Sequence, residues 1–169
     1  DYIFHLACPA SPEKYQVDPV RTLEICFTGT LNALKIAKNS NANLIFSSTS
    51  EVYGDPLEHP QTENYRGNVN TTGPRSCYDE GKRVAETLIM EYCKKHNLNY
   101  SIARIFNTYG EHMDQNDGRV ISNFVKQVKN NRKITIFGDG SQTRSFCHVS
   151  DMVDGCLLYT SPSPRDLAV

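Results

Sequence analysis

The 169 residues predict an α/β fold, part of a doubly wound parallel sheet covered by helices, and three observations carry that prediction. Short apolar runs alternate with segments of helical period in the order strand, helix, strand, helix, strand. Polar residues gather where two strands end, at Ser47 to Glu51 and at Asn107-Thr108, and ligands of parallel sheets sit beyond the carboxyl ends of the strands. The length is that of one domain with room for a sizeable core.

Asp1 to Ala7 (D-Y-I-F-H-L-A) is the first strand, and it begins without turn, cap or lead-in, as a strand would if the chain were cut just before it. Pro9 and Pro12 make the next residues a loop, because closely spaced prolines exclude helix and central strand. Asp18 and Pro19 read as an N-cap and first helical residue, with Leu23, Phe27, Leu31 and Leu34 as one apolar face behind them. Leu44-Ile45-Phe46 opens the second strand. Asp55 to Arg75, rich in Pro, Gly and Asn, is a loop long enough to shape a site. Ser76 to His96 is the next helix, and Tyr100 to Phe106 the next strand. Arg119 to Asn131 is a helix with Val120, Phe124 and Val128 inward; Lys133 to Phe137 is a strand stopped by Gly138-Asp139-Gly140. A last amphipathic segment runs from Ser150 to Leu158. Residues 1–159 therefore read as one incomplete domain, and Thr160 to Val169, where composition changes abruptly, as an unrelated or disordered tail.

With 18 basic and 19 acidic side chains the net charge is -1, which leaves no electrostatic footprint of a nucleic-acid or membrane-surface binder. Small molecules and proteins are the expected partners. The six cysteines are scattered, without a C-x-x-C pair or a Cys/His cluster at metal-ligand spacing, so no metal is expected. They read as mostly buried free thiols of a reducing compartment, and a cytoplasmic location is the expectation, with a secretory-pathway form held by an upstream anchor as the alternative.

The chemistry centres on Tyr78 and Lys82 in S-C-Y-D-E-G-K. A spacing of four puts phenol and ammonium on one helical face, one turn apart. A tyrosine serves as base near neutral pH only if its pKa falls from about 10 to near 7, about 4 kcal/mol of preferential phenolate stabilisation, and a nearby cation supplies that. Taken alone, such a pair occurs by chance in many surface helices. Ser48-Thr49-Ser50-Glu51 offers three hydroxyls and a carboxylate at a strand end; alone, the run reads as a polar exit that caps backbone groups. Arg144 offers a fork of donors for carboxylate or diphosphate, or a surface ion pair. Asn107 binds a ligand or supports a turn. His5 and His148 read as structural hydrogen-bonding groups.

Together, H-L-A-C-P-A-S-P, S-S-T-S-E-V-Y-G-D-P, G-N-V-N, R-S-C-Y-D-E-G-K-R-V-A-E-T, A-R-I-F-N-T-Y-G, D-G-R-V-I-S-N-F and Q-T-R-S-F resemble the extended short-chain dehydrogenase/reductase superfamily. Within it they are most similar to the UDP-glucuronate decarboxylases, or UDP-xylose synthases. The stretches run almost without gaps from Tyr2 to about Leu158. Glu51 narrows the choice, because dehydratases of the superfamily usually carry T-D-E where this chain has T-S-E, and the 4-epimerases lack the acid.

The resemblance implies an NAD-binding Rossmann-like domain lacking its first βαβ units, with part of a small substrate lobe. It implies conversion of UDP-glucuronate to UDP-xylose by 4-oxidation, decarboxylation and re-reduction on one bound NAD. Tyr78, Lys82 and Thr49 match the positions that handle the 4-hydroxyl, and Glu51, Ser50 and Arg144 those that handle the carboxylate and the returned proton. Leu6, Cys8, Ser47, Tyr78, Lys82, Thr108 and Arg119 fall toward the cofactor. Asn32, Lys38, Asn107, Ile121, Ser122, Asn123, Phe124, Val125 and Arg144 fall toward the UDP-sugar. Related enzymes imply a homodimer through the helices at Asp18 to Lys38 and Ser76 to His96.

Departures from the pattern are Cys26 in place of the family's usual Asn, Arg66 where Trp is common, and Gly110-Glu111-His112-Met113 where G-P-R-M is usual. The Gly-rich turn that cradles the NAD pyrophosphate is expected before Asp1, so these residues alone are expected to bind NAD weakly or not at all. Alternatives from the same fold are a UDP-sugar 4-epimerase and a nucleotide-sugar dehydratase; from another class, a catalytically silent pairing subunit.

Overall fold

The computed structural model describes residues 1–158. It divides into two compact units, one taking Asp1–Ala10 and Lys14–Ile105, the other Ser11–Glu13 and the chain from Phe106 onward.

Strand β1 (Tyr2–His5) of the first unit is followed by a single turn, α1 (Pro12–Tyr15), whose first two residues count with the second unit, then by α2 (Pro19–Glu24), a π-helical turn (Ile25–Gly29) and α3 (Thr30–Ser40). Strand β2 (Asn43–Thr49), a 3-10 turn (Ser50–Tyr53), helix α4 (Ser76–His96) and strand β3 (Tyr100–Ile105) complete it. β2 lies between β1 and β3 and pairs with both in parallel, Phe4 opposite Ile45 and Phe46 opposite Ile102. Leu44, Ile45 and Phe46 are all buried, as a central parallel strand covered on both faces requires. Leu44 and Phe46 share a core with Leu34 of α3 and with Ala85, Ile89 and Cys93 of α4.

The expected α4 is confirmed to the residue. Asn97 closes it in the left-handed region at φ 52°, its N–H donating to the Cys93 carbonyl, and Lys94, Lys95 and His96 complement the dipole of the last turn. The expected face of the preceding helix is corrected. Leu34 is buried, but Leu23 and Phe27 are 40% and 44% exposed, and the inward stripe is Thr22, Cys26, Thr30, Leu34 and Ala37. Small residues win this position because α4 approaches closely: a Cβ on Gly81 would meet Cys26 Sγ at 3.0 Å.

The second unit holds β4 (Asn107–Tyr109), α5 (Val120–Lys129), β5 (Phe146–His148) and α6 (Val149–Leu158), with β4 and β5 parallel, Asn107 opposite Phe146. The expected strand at Lys133 to Phe137 is absent. Ile134, Ile136 and Phe137 are exposed, and Gln127 Oε1 takes the Thr135 N–H that a partner strand would have taken. The expected inner face of α5 is also corrected. Val120 and Val128 are exposed, Phe124 is half-buried, and Ser122 is the buried residue, because its hydroxyl turns back to the Arg119 carbonyl at 2.8 Å. Thr160 to Val169 lies outside the described residues.

Candidate active site

α4 builds the site and the core with one stripe. Tyr78, Lys82, Ala85, Ile89 and Cys93 follow one another at three- and four-residue steps; the last three are core, and the first two reach the carboxyl end of β2. Lys82 is 3% exposed, and its Nζ donates to the Ser47 carbonyl at 2.7 Å while lying 4.6 Å from the Phe46 ring centre and 5.9 Å from that of Tyr78. Burial lowers its pKa; the thiols of Cys8 and Cys26 and the Glu86 carboxylate pull it back up.

Tyr78 is buried and stacks on Tyr15, ring centres 4.8 Å apart and planes within 5°. Its phenol hydrogen-bonds the Thr49 side chain. The phenol is nevertheless pushed up to about 12, because burial outweighs the Thr49 bond, and Cys8, Cys26 and Tyr15 push in the same direction. The expected lowering by Lys82 is therefore corrected: the ammonium bonds the Ser47 carbonyl, and desolvation of the phenolate wins.

Glu51 comes to this place by a break in the strand. β2 ends at Thr49, whose hydroxyl accepts the Glu51 N–H at 3.2 Å as the 3-10 turn begins, so strand alternation does not govern Ser50 and Glu51. Arg75 Nη2, at the N-cap of α4, forms an ion pair with Glu51 Oε2. Cys8 lies against Cys26, sulfur to sulfur 3.2 Å, and Ser47 Oγ donates to the His5 carbonyl at 3.3 Å. The structure thus gathers Tyr78, Lys82, Ser47, Thr49, Glu51 and Cys8 at the carboxyl ends of β1 and β2. Leu6, at the end of β1, is 64% exposed.

A lysine ammonium has three donors and the Ser47 carbonyl takes one, so Lys82 together with the Ser47, Thr49 and Tyr78 hydroxyls suits a ribose diol. That fits the nicotinamide half of a dinucleotide. Among the described residues no group of three or more His, Cys, Asp or Glu could hold a metal ion.

Two further expected site residues, both on α3, stand apart from this group. Asn32 and Lys38 are exposed on α3, and the Lys38 charge acts on His96 at the far end of α4. That end is 18 residues from Tyr78, about 27 Å at helical rise, so Lys38 does not meet the phenol. In the second unit Asn107 Nδ2 donates to the Ser145 carbonyl at 3.0 Å, Thr108 Oγ1 to Phe106 at 3.5 Å, and Asn123 Nδ2 to Gly118 at 2.8 Å. Arg119 pairs with the buried Asp117; Ile121 and Phe124 are half-buried, and Val125 is exposed. Arg144 is exposed and donates to the Thr143 carbonyl at 2.7 Å.

Sequence reasoning missed Arg75, which adjoined the S-C-Y-D-E-G-K motif, and Tyr15, which carried no signal. It also missed an internal ion pair in which Arg104 grips Glu86 with Nε at 3.1 Å and Nη2 at 2.8 Å and reaches the Tyr53 hydroxyl at 3.0 Å. That group borders a cavity of about 540 Å³ whose walls include Arg66 but none of the expected site residues. His5 keeps the structural role expected of it, bonding Thr30 Oγ1 at 3.0 Å. His148 bonds Ser150 and pairs with Glu111 at 3.5 Å.

The model of the NAD dependent epimerase/dehydratase family matches residues 1–166. The chain is 58% identical over 157 residues to UDP-glucuronic acid decarboxylase 6 of Arabidopsis thaliana, covering 93% of this chain and 46% of that protein. It is 55% identical over 155 residues to UDP-glucuronic acid decarboxylase 1 of Danio rerio, covering 92% and 37%. The chain therefore spans less than half the length of these relatives. Among solved structures, a UDP-N-acetylglucosamine 4-epimerase from Methanobrevibacter ruminantium superposes with a TM-score of 0.84 at 31% identity, over 94% of this chain and 50% of that one. A UDP-glucuronic acid 4-epimerase from Bacillus cereus, in complex with UDP-glucuronic acid and NAD, gives 0.83 at 26%, over 96% and 50%.

Proposed function

The chain belongs to the NAD dependent epimerase/dehydratase family, and from that premise we propose that it carries the catalytic residues of an NAD-dependent decarboxylase converting UDP-glucuronate to UDP-xylose and carbon dioxide. One observation carries the choice of reaction: Glu51 follows directly on the Thr49–Tyr78 pair, in a chain 54–59% identical to decarboxylases of plants and vertebrates.

Lys82, Ser47, Tyr78, Cys8 and Leu6 would hold the nicotinamide and its ribose, and Thr108 and Arg119 also match cofactor positions of the family. Bound NAD would supply the hydride acceptor for C4, the donor that restores the 4-hydroxyl after decarboxylation and, when oxidised, a positive charge that favours the phenolate. Tyr78 takes the proton of the 4-hydroxyl, Thr49 sharing the hydrogen bond. Both then hold the 4-oxygen while carbon dioxide leaves, because the 4-ketone lies β to the carboxylate and takes the electron pair as an enolate. Glu51, oriented by Arg75 and beside the Ser50 hydroxyl, takes up a proton from water and passes it to the ring carbon that lost the carboxylate. Asn107, residues 121–125 and Arg144 bind the UDP-sugar, with Arg144 a fork for carboxylate or diphosphate. The full-length protein pairs as a homodimer through α2, α3 and α4, which the exposure of Val20, Leu23, Phe27 and Val84 supports. Free cysteines support a cytoplasmic setting.

A UDP-sugar 4-epimerase is the second reading, favoured by the solved structures. It would use Tyr78, Lys82 and Thr49 alike and would leave Glu51 without a task. The intact protein incubated with NAD and UDP-glucuronate decides between them by product mass. A UDP-pentose, lighter by carbon dioxide, is expected; a product of unchanged mass would overturn the decarboxylase.

A further inference from the structure

Cys8 and Cys26 come from different places in the fold, the loop after β1 and the π-helical turn before α3, yet their sulfurs are 3.2 Å apart. Among the described residues no other two cysteine sulfurs are in hydrogen-bond contact: Cys77 turns to the Tyr15 carbonyl, Cys147 to His148, and Cys93 lies in the core. A disulfide bond is about 2.05 Å long, so the sulfurs need to close by only about 1 Å. The two thiols are not equivalent. Cys8 is half-buried, whereas Cys26 is 3% exposed, packed against Gly81 next to Lys82.

We infer that Cys8 and Cys26 form a dithiol modification site, at which a low-molecular-weight disulfide produces an intramolecular disulfide beside the Tyr78–Lys82 pair. Cys8 is the attacking thiol. The hydrogen bond from Cys26 draws its pKa down to about 7, against burial and with help from the Lys82 charge, while the same bond and burial push Cys26 up. The Cys8 thiolate attacks one sulfur of the small disulfide, whose S–S bond breaks, and the other half leaves as a thiol after taking up a proton. Cys26 then gives up its proton and attacks Cys8 Sγ, closing the protein disulfide and releasing the second half as a thiol. Two protein thiols have lost two protons and two electrons, and the small disulfide has gained them. The bond ties the loop after β1 to the helical layer behind Lys82, and it removes a negative charge that acts on both Lys82 and Tyr78. The inference stands on the thiol geometry and does not depend on the reaction proposed above.

The test uses the intact protein in its native state, fully reduced and then held with oxidised glutathione before acid quench and peptide mapping by mass. The expected result is a Cys8–Cys26 linked peptide lighter by two hydrogens, reversed by dithiothreitol, and in Cys26→Ser a glutathione retained on Cys8. Glutathione remaining on wild-type Cys8 without a linked peptide overturns the inference. So does an unmodified Cys8, or equal modification of the other four cysteines. Should Cys26→Ser lose its native circular dichroism, the wild-type time course decides: the Cys8 mixed disulfide must precede the linked peptide.

Discussion

Tyr78, which bonds Thr49, and Glu51, two residues past it, share one strand end, and the separate tasks proposed for them should be separable by single substitutions. Tyr78→Phe removes the proposed base, so nicotinamide reduction on rapid mixing with UDP-glucuronate should fall at least about 100-fold. Glu51→Gln should still show reduction and should stall the later release of product. Equal loss of both phases would sink the role given to Glu51. Arg75→Met should slow the same late phase while changing urea stability by less than about 1 kcal/mol, because the Arg75–Glu51 pair is 45% and 32% exposed and such pairs are worth little to folding; Arg75→Lys should recover part of the rate. His5 belongs to the same scale. Burial and then the Lys82 charge hold its pKa below 6.5, so the folded state binds its proton less readily than the unfolded chain. The stability it contributes is present above pH 6.5 and is lost as pH falls through the lowered value. Urea midpoints of the wild type should therefore drop faster below that pH than those of His5→Gln, and parallel curves would show that another group titrates.

α4 is the element on which core and chemistry meet, and at Gly81 it closely approaches Cys26. Alanine at 81 would gain about 1 kcal/mol of helix propensity. Its Cβ would lie 3.0 Å from Cys26 Sγ and 3.1 Å from Cys26 Cβ, in a side chain that is 3% exposed. Overpacking of this kind costs about 1–3 kcal/mol, so Gly81→Ala should be net destabilising in urea titration, and Cys26→Ala should restore part of the loss by removing the sulfur. A stabilised Gly81→Ala would mean that the two helices are looser than this spacing implies. The limits of α4 were legible in the sequence because Ser76 to His96 carries a continuous helical stripe and then Asn97. The burial of Thr22, Cys26 and Thr30 was not, since an apolar period marks what could face a core and close approach selects small residues instead. The run at Lys133 to Phe137 failed for a related reason: β-propensity makes a strand only where a partner edge takes its hydrogen bonds.

On the scale of the whole molecule, the exposed Val20, Leu23 and Phe27 predict an interface, and replacing Val20 and Phe27 with Glu should halve the mass of the intact protein by light scattering. An unchanged mass would place the subunit contact elsewhere. The amino-acid sequence by itself determined the α/β class, the parallel order of strands, the α4 helix, the family and the Tyr78–Lys82 spacing, because each is written in local periodicity or in contiguous motifs. Tertiary structure alone decided that Arg75 holds Glu51, that Tyr15 covers Tyr78, that Lys82 turns to the Ser47 carbonyl, and that Cys8 meets Cys26. Those contacts join residues 18 to 63 positions apart, and burial there reverses what the charge of a neighbouring lysine suggests: the cost of desolvating a phenolate depends on everything packed around it, which no spacing along the chain records.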